Sequence, residues 1–279
     1  MCLVLTLGYL DTIVYFLNCG LIAPFGTSYG DIIMTTLTLD KPVGELARET
    51  PGLGRLFDQL GIDFCCAGRK TLRDACNARG LDVHTVAALL ATAPLAPAQC
   101  PDPRTMTLAS LVNHIVSTHH AYTREELPRL SQWINKVAAV HGDKDGRLVE
   151  LSAIFLEFRA DLAEHMVKEE HVLFPMIVQM EQSGTVPMPH CGSIENPIHV
   201  MEAEHENAGH ALARMRELTD GYTPPADACN TYCTMLDALI KLERDMHQHV
   251  HEENNVLFPR ASELHIHLMR DSITQDVKI

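Results

Sequence analysis

A chain of 279 residues holds enough material for one main domain and a smaller companion. Apolar residues make up 46% and aromatics 5%, few segments alternate in the β manner, and long ones carry Ala, Leu, Glu and Met, so the pattern points to an all-α protein. With 36 acidic against 22 basic residues, a net charge of −14 and no basic stripe, it lacks the footprint of a nucleic-acid binder and leaves small molecules, metal ions and proteins as partners.

Residues 1–33 are apolar but interrupted by Asp11 and Asn18, and they contain no Lys or Arg. They therefore lack the basic start of a signal peptide, and the interruptions argue against a membrane anchor. They are expected to be a non-native or disordered leader, with Met34 opening a polar stretch that reads as the natural start. The nine cysteines (Cys2, Cys19, Cys65, Cys66, Cys76, Cys100, Cys191, Cys229 and Cys233) are odd in number and show no zinc-ribbon spacing. A reducing, cytoplasmic setting fits them best.

Residues 36–92 form the first unit. A helix is expected to start at Asp40-Lys41-Pro42 and run to Gly61, a turn follows at Asp63-Phe64-Cys65-Cys66-Ala67-Gly68, and two short helices complete the unit, the second capped by Asp82. The segment 93–104 is rich in proline and reads as a stiff linker, which would let the small unit swing relative to the rest.

From 105 to 262 the pattern gives four long helices, over roughly 107–138, 147–181, 197–219 and 226–260. The last is expected to be capped by Thr223 with Pro224 at its first position. Short connections imply antiparallel neighbours and an up-down four-helix bundle. Residues 263–279 read as a tail.

The second and fourth of these helices repeat each other. His165-x3-Glu169-x2-Val172-Leu173-Phe174-Pro175 recurs 84 residues later as His249-x3-Glu253-x2-Val256-Leu257-Phe258-Pro259. His120 and His205, on the first and third helices, precede the two copies by 45 and 44 residues, so the bundle reads as a duplicated helical hairpin. Residues four apart share a helix face, so each His–Glu pair can point inward together. Pro175 and Pro259 break the hydrogen-bond ladder just beyond.

Four imidazoles and two carboxylates exceed what one zinc ion needs. They suit two metals, each with two His and both carboxylates bridging, an oxo or hydroxo bridge between them, and one position open for a small ligand. Imidazole with carboxylate favours iron or manganese. A lone His-x3-Glu is more often a surface pair than a site; two copies with matched tails and matched partner histidines reverse that judgement. His114 and His119 compete with His120, which wins on the repeat spacing. His114, His119, His171, His210, His247 and His251 read as non-ligands or outer partners.

These stretches also resemble a known family. The bundle is similar to hemerythrin-like domains, and residues 36–262 resemble the di-iron proteins for repair of iron centres, with a small ScdA-type domain ahead of the bundle. Gly44-Glu45-Leu46-Ala47, Asp63-Phe64-Cys65-Cys66-Ala67-Gly68, Glu169-Glu170, Glu202-Ala203-Glu204-His205-Glu206 and Glu253-Asn254-Asn255 are among the segments that carry the likeness. The resemblance implies two non-haem iron ions on His120, His165, Glu169, His205, His249 and Glu253, the six residues that the repeat also gives. It implies repair of iron–sulfur clusters damaged by oxidative or nitrosative stress, with damaged iron–sulfur proteins as partners. Reduction of nitric oxide or peroxide, and sensing of oxygen or nitric oxide, are the alternatives. Oxygen-carrying hemerythrins place a further His one turn beyond the third helix's ligand, where this chain has Gly209, which argues against a pure oxygen carrier. Cys65 and Cys66 are candidates for redox chemistry, with a packing role as the plain alternative. A homodimer is left open.

Overall fold

The reading of an all-α chain holds throughout the described part of the molecule. The computed structural model describes residues 39–50, 53–65, 68–92, 102–186 and 193–276, which leaves the expected leader, most of the expected linker and Cys66 outside the described residues. Helices α1 (Val43–Glu49), α2 (Leu53–Leu60), α3 (Leu72–Arg79) and α4 (Val83–Thr92) come first. α1 and α2 had been expected as one helix. Pro51 follows Thr50 and biases it away from helical geometry, and Thr50 is extended at φ −121°, ψ 98°. Gly61 stops α2 with a positive φ of 65°. Thr71 caps α3 by accepting from the Asp74 N–H, and Asp82 accepts from the Thr85 N–H at 2.8 Å at the start of α4. Phe57, Phe64, Leu72, Cys76 and Val43 form the buried core of this unit.

Four long rods follow. The first joins α5 (Leu108–Ile115), a π-helical turn (Val116–His120) and α6 (Ala121–His141). The second joins α7 (Arg147–Lys168), a π turn (Glu169–Leu173) and α8 (Phe174–Ser183). The third is α9 (Glu195–Leu218). The fourth joins α10 (Asn230–Glu252), a π turn (Glu253–Leu257) and α11 (Phe258–Asp276). The first rod packs along the second and the fourth, and the second along the third.

The last two helices depart from expectation at both outer ends. α10 begins at Asn230, not near Thr223, because Pro225 disfavours helical geometry at Pro224 before it. Residues 263–276, expected as a tail, continue α11, and Leu264 and Leu268 pack one turn apart against the bundle core.

Each of the two π turns that start at a glutamate closes with a wide bond: the Phe174 N–H reaches the Glu169 carbonyl, and the Phe258 N–H reaches that of Glu253. Pro175 and Pro259 come next. A proline lacks the N–H for the usual bond and its ring crowds the carbonyl four residues back; the wider turn relieves both constraints without breaking the rod.

Two apolar clusters fill the bundle. One gathers Leu127, Leu130, Phe155, Leu162, Leu212, Met246 and Val250, the other Leu111, Ile115, Leu173, Phe174, Met201, Leu257 and Phe258. In the first three rods the candidate donors fall between the two, and in the fourth Val250 of the first cluster lies between His249 and Glu253. The small unit is docked on the bundle rather than held off by the linker. Asp58 meets His247 at 2.6 Å, the Phe64 ring lies edge-on to His251 at 5.3 Å, and Cys65 is buried in the first bundle cluster. Gly44 makes this approach feasible: a Cβ there would lie 2.6 Å from Asn255 Oδ1 and 3.0 Å from the Phe64 carbonyl.

Candidate metal centre

All six donors singled out by the repeat converge in the interior. His120, Glu169, His249 and Glu253 are fully buried, and His165 and His205 nearly so. They fall into two groups, each able to hold a cation: His120, Glu169, His249 and Glu253, and His165, Glu169, His205 and Glu253. The two carboxylates are common to both groups.

Distances show how the sharing works. His120 Nε2 and His249 Nε2 stand 3.1 Å apart, and His165 Nε2 and His205 Nε2 stand 3.0 Å apart. Two donors at right angles on one ion, with bonds of about 2.1 Å, would be separated by about 3.0 Å. Glu253 turns Oε1 to His249 (2.9 Å) and Oε2 to His205 (3.1 Å), so its two oxygens serve different pairs. Glu169 Oε2 lies 3.3 Å from both His120 Nε2 and His165 Nε2. Each imidazole pair takes one ring from each half of the repeat, so neither hairpin alone contains a complete group.

The outer ring atoms decide what the inner ones carry. His120 donates Nδ1–H to Glu170 Oε1 (2.6 Å), His165 to Glu204 Oε2 (2.8 Å) and His205 to Asn254 Oδ1 (2.8 Å). A neutral imidazole has one N–H, so these bonds leave Nε2 with its lone pair facing inward. In the His165–His205 pair two lone pairs then oppose each other at 3.0 Å, which is stable only with a cation or proton between them. Arg124 pairs with Glu170, and Lys168 Nζ holds Glu204 Oε1 at 2.7 Å, which keeps both outer carboxylates charged. Such outer partners orient metal-binding imidazoles and raise their basicity.

Without a metal the site is electrostatically incomplete. Both Glu169 oxygens, Glu253 Oε2 and His249 Nδ1 are buried without a hydrogen-bond partner. Leaving such groups unmatched is costly, so each calls for an ion or water. Burial opposes charge on His120, but the nearby Glu169 and Glu253 carboxylates outweigh that and push its pKa up to about 10. His165 rises to about 9 against the same burial through Glu169 and Glu253. Burial also works against ionised Glu253, yet His249, His120 and His205 hold it well below the usual carboxylate range. Protons thus balance the two carboxylates in the metal-free site, and cations would take their place on binding.

The Val-Leu-Phe-Pro tails have a defined task. Phe174 stacks on His120 with centroids 5.7 Å apart and planes at 20°, and Phe258 stacks on His205 at 6.0 Å and 2°. In each half, the phenylalanine of the second rod braces the first rod's histidine. Gly209, one turn beyond His205, lines a cavity of about 420 Å³ together with Asp58, Arg216, Glu243 and His247. The outer partners Glu170, Glu204 and Asn254 were not singled out as such from sequence. Their signal is adjacency: each sits one residue from a candidate ligand. Cys65 is 3% exposed, with its N–H donated to Asp63 Oδ1 at 3.1 Å, and it is not among the donors of the centre.

Comparison with known proteins agrees with this geometry. The hemerythrin HHE cation binding domain matches residues 111–261, and the ScdA_N domain, of unknown function, matches residues 39–94. The chain is 39% identical to the iron–sulfur cluster repair protein YtfE of Enterobacter sp. (strain 638) over 222 residues, which is 80% of this chain and 96% of that protein. Over the same shares it is 39% identical to the YtfE of Escherichia coli O157:H7 and 40% identical to that of Musicola paradisiaca (strain Ech703). On a domain match over more than half of its length and relatives about 39% identical across most of both sequences, the chain belongs to the hemerythrin HHE family, among the YtfE iron–sulfur cluster repair proteins.

Proposed function

We propose that the chain is a di-iron protein that serves the repair of iron–sulfur clusters damaged by oxidative or nitrosative stress, by holding and handing on iron. In this reading His120 and His249 would hold one ion and His165 and His205 the other, with Glu169 and Glu253 serving both. Bound iron would supply a redox-active, exchangeable pair of ions able to take small ligands such as nitric oxide or oxygen. The protein's own groups bind and orient: Glu170, Glu204 and Asn254 fix the imidazole tautomers, and the two apolar clusters exclude water from either side. Damaged iron–sulfur proteins are the partners and the cytoplasm the setting; no helix of the described residues is long and apolar enough to cross a membrane.

The observation that carries this reading is the division of Glu253's oxygens between the two imidazole pairs. A single-ion site has no use for it. Metal analysis with Mössbauer spectroscopy should find two coupled irons per chain, and the loaded protein should reactivate an enzyme whose cluster has been damaged by nitric oxide. One tightly held zinc without iron, or equal reactivation by metal-free protein, would end the reading.

A further inference from the structure

Beside the six-donor centre, the described residues contain one more group of nitrogen and carboxylate donors within 4.8 Å of one another: His114, His119 and Glu252. The fold of the first rod makes it. Five residues along a regular α-helix turn the chain by about 500°, which leaves the two side chains about 140° apart. The π turn at Val116–His120 widens the spiral and brings His114 and His119 to one face, with ring centroids 6.0 Å apart.

Each donor is oriented from behind. His119 donates Nδ1–H to Asp245 Oδ1 at 2.9 Å, so Nε2 carries the lone pair. Gln248 donates to Glu252 Oε1 at 2.9 Å, and His114 Nδ1 lies 3.4 Å from the Thr118 hydroxyl. What remains points to a common spot: His114 Nε2 is 3.5 Å from Glu252 Oε2, and His119 Nε2 is 3.7 Å from Glu252 Oε1. His119 Nε2 and Glu252 Oε2 are buried with no hydrogen-bond partner, in residues only 4% and 3% exposed. A carboxylate behind a histidine whose other nitrogen is free is the usual outer arrangement of a metal ligand. Two imidazoles and one carboxylate, with positions left for water, suit ferrous iron.

Location gives the group its use. His119 and Glu252 directly precede His120 and Glu253, and the His119 ring lies parallel to that of His249 at 5.4 Å. The His114 side chain is 25% exposed, whereas the six inner donors are buried. The group therefore reaches from solvent to the edge of the inner centre.

We propose that His114, His119 and Glu252 form a third, weaker site for a divalent cation, through which ferrous iron passes between solvent and the inner pair. The transit role rests on the reading of the inner centre as an iron site. The competing occupant is a proton shared among His119, Asp245 and Glu252.

Full-length protein carrying its two inner ions should be dialysed anaerobically against ferrous iron alone. Wild type should take up a third equivalent, held more weakly than the first two. His114→Ala and Glu252→Gln should lose that equivalent, keep the inner pair with its Mössbauer signature, and release inner iron to a chelator several-fold more slowly, because the exit through the outer group is gone. If Glu252→Gln fails to fold, the part-exposed His114→Ala variant decides alone. Saturation of wild type at two ions, or a third equivalent that survives His114→Ala, would overturn the site. Loss of the third equivalent with an unchanged release rate would overturn its transit role. A protein that holds no inner iron ends the reading of the inner centre and the transit role with it, while the uptake difference between wild type and His114→Ala still judges the third site.

Discussion

The two hairpins of the bundle supply the same inner donors and surround them differently. In the first half, His120 is backed by the Glu170 carboxylate with Arg124 behind it; in the second, the equivalent His205 is backed by the neutral amide of Asn254. His165 is backed by Glu204 with Lys168, whereas its counterpart His249 has a buried Nδ1 with no partner and the His119 ring parallel to it. Duplication preserved what binds and let the backing diverge. The charged backing falls on His120 and His165, which belong to different donor groups, so each ion would meet one imidazole backed by a carboxylate and one that is not.

Removing the shared carboxylates should have the largest effect. Glu253→Ala takes a donor from both groups at once, and Glu169→Ala does the same, so each variant should lose both ions rather than one. Metal content and the di-iron spectrum check this; a variant that retains one full ion would show that the carboxylate serves a single group. A second tier separates the halves. Glu170→Gln and Glu204→Gln should each weaken metal binding by about 10- to 100-fold, as the loss of a charged backing does elsewhere. Asn254→Ala should cost less, because a neutral amide contributes less basicity to the ring. Competition with a chelator ranks the three, and equal losses would break the contrast between the halves. Cys65→Ser should keep both ions, since Cys65 is not among the inner donors.

The inner set was legible because it lies in a repeat. His165-x3-Glu169 and His249-x3-Glu253 each span one helical turn, and a period of 84 residues is visible without any structure. The pairing was not legible. Nothing in the spacing says that His120 meets His249 across the halves, since that depends on how the rods pack. Nor could His114 be matched with His119, because residues five apart share a face only once a π turn intervenes. The prolines marked where ordinary helix fails, but not that the rods would widen there instead of kinking. Likewise, period-four Leu264 and Leu268 carried the signal for a longer last helix, outweighed by the polar residues around them.

The smallest effect is expected where the small unit meets the fourth rod. α1 lies against the π turn at Glu253–Leu257, the segment that also carries a shared carboxylate. Gly44 sits at that contact, and the space a methyl group would need is taken by Asn255 Oδ1 at 2.6 Å and the Phe64 carbonyl at 3.0 Å. The Phe64 carbonyl is backbone and gives little. Asn255 is a side chain and could swing aside, but its Nδ2 is held by His251 Nδ1 at 3.1 Å, so moving it breaks a partly buried bond. Gly44→Ala should therefore destabilise the protein by about 1–3 kcal/mol, the usual range for overpacking a filled contact. The atoms nearest an added methyl belong to Asn255 and Phe64, neither of which is an inner donor. Thermal or denaturant unfolding measures the loss, and metal content should stay at two ions. If Gly44→Ala released an ion as well, the docked small unit would be part of what holds Glu253 in place, and the contrast between the halves would extend beyond the bundle to the domain packed against the fourth rod.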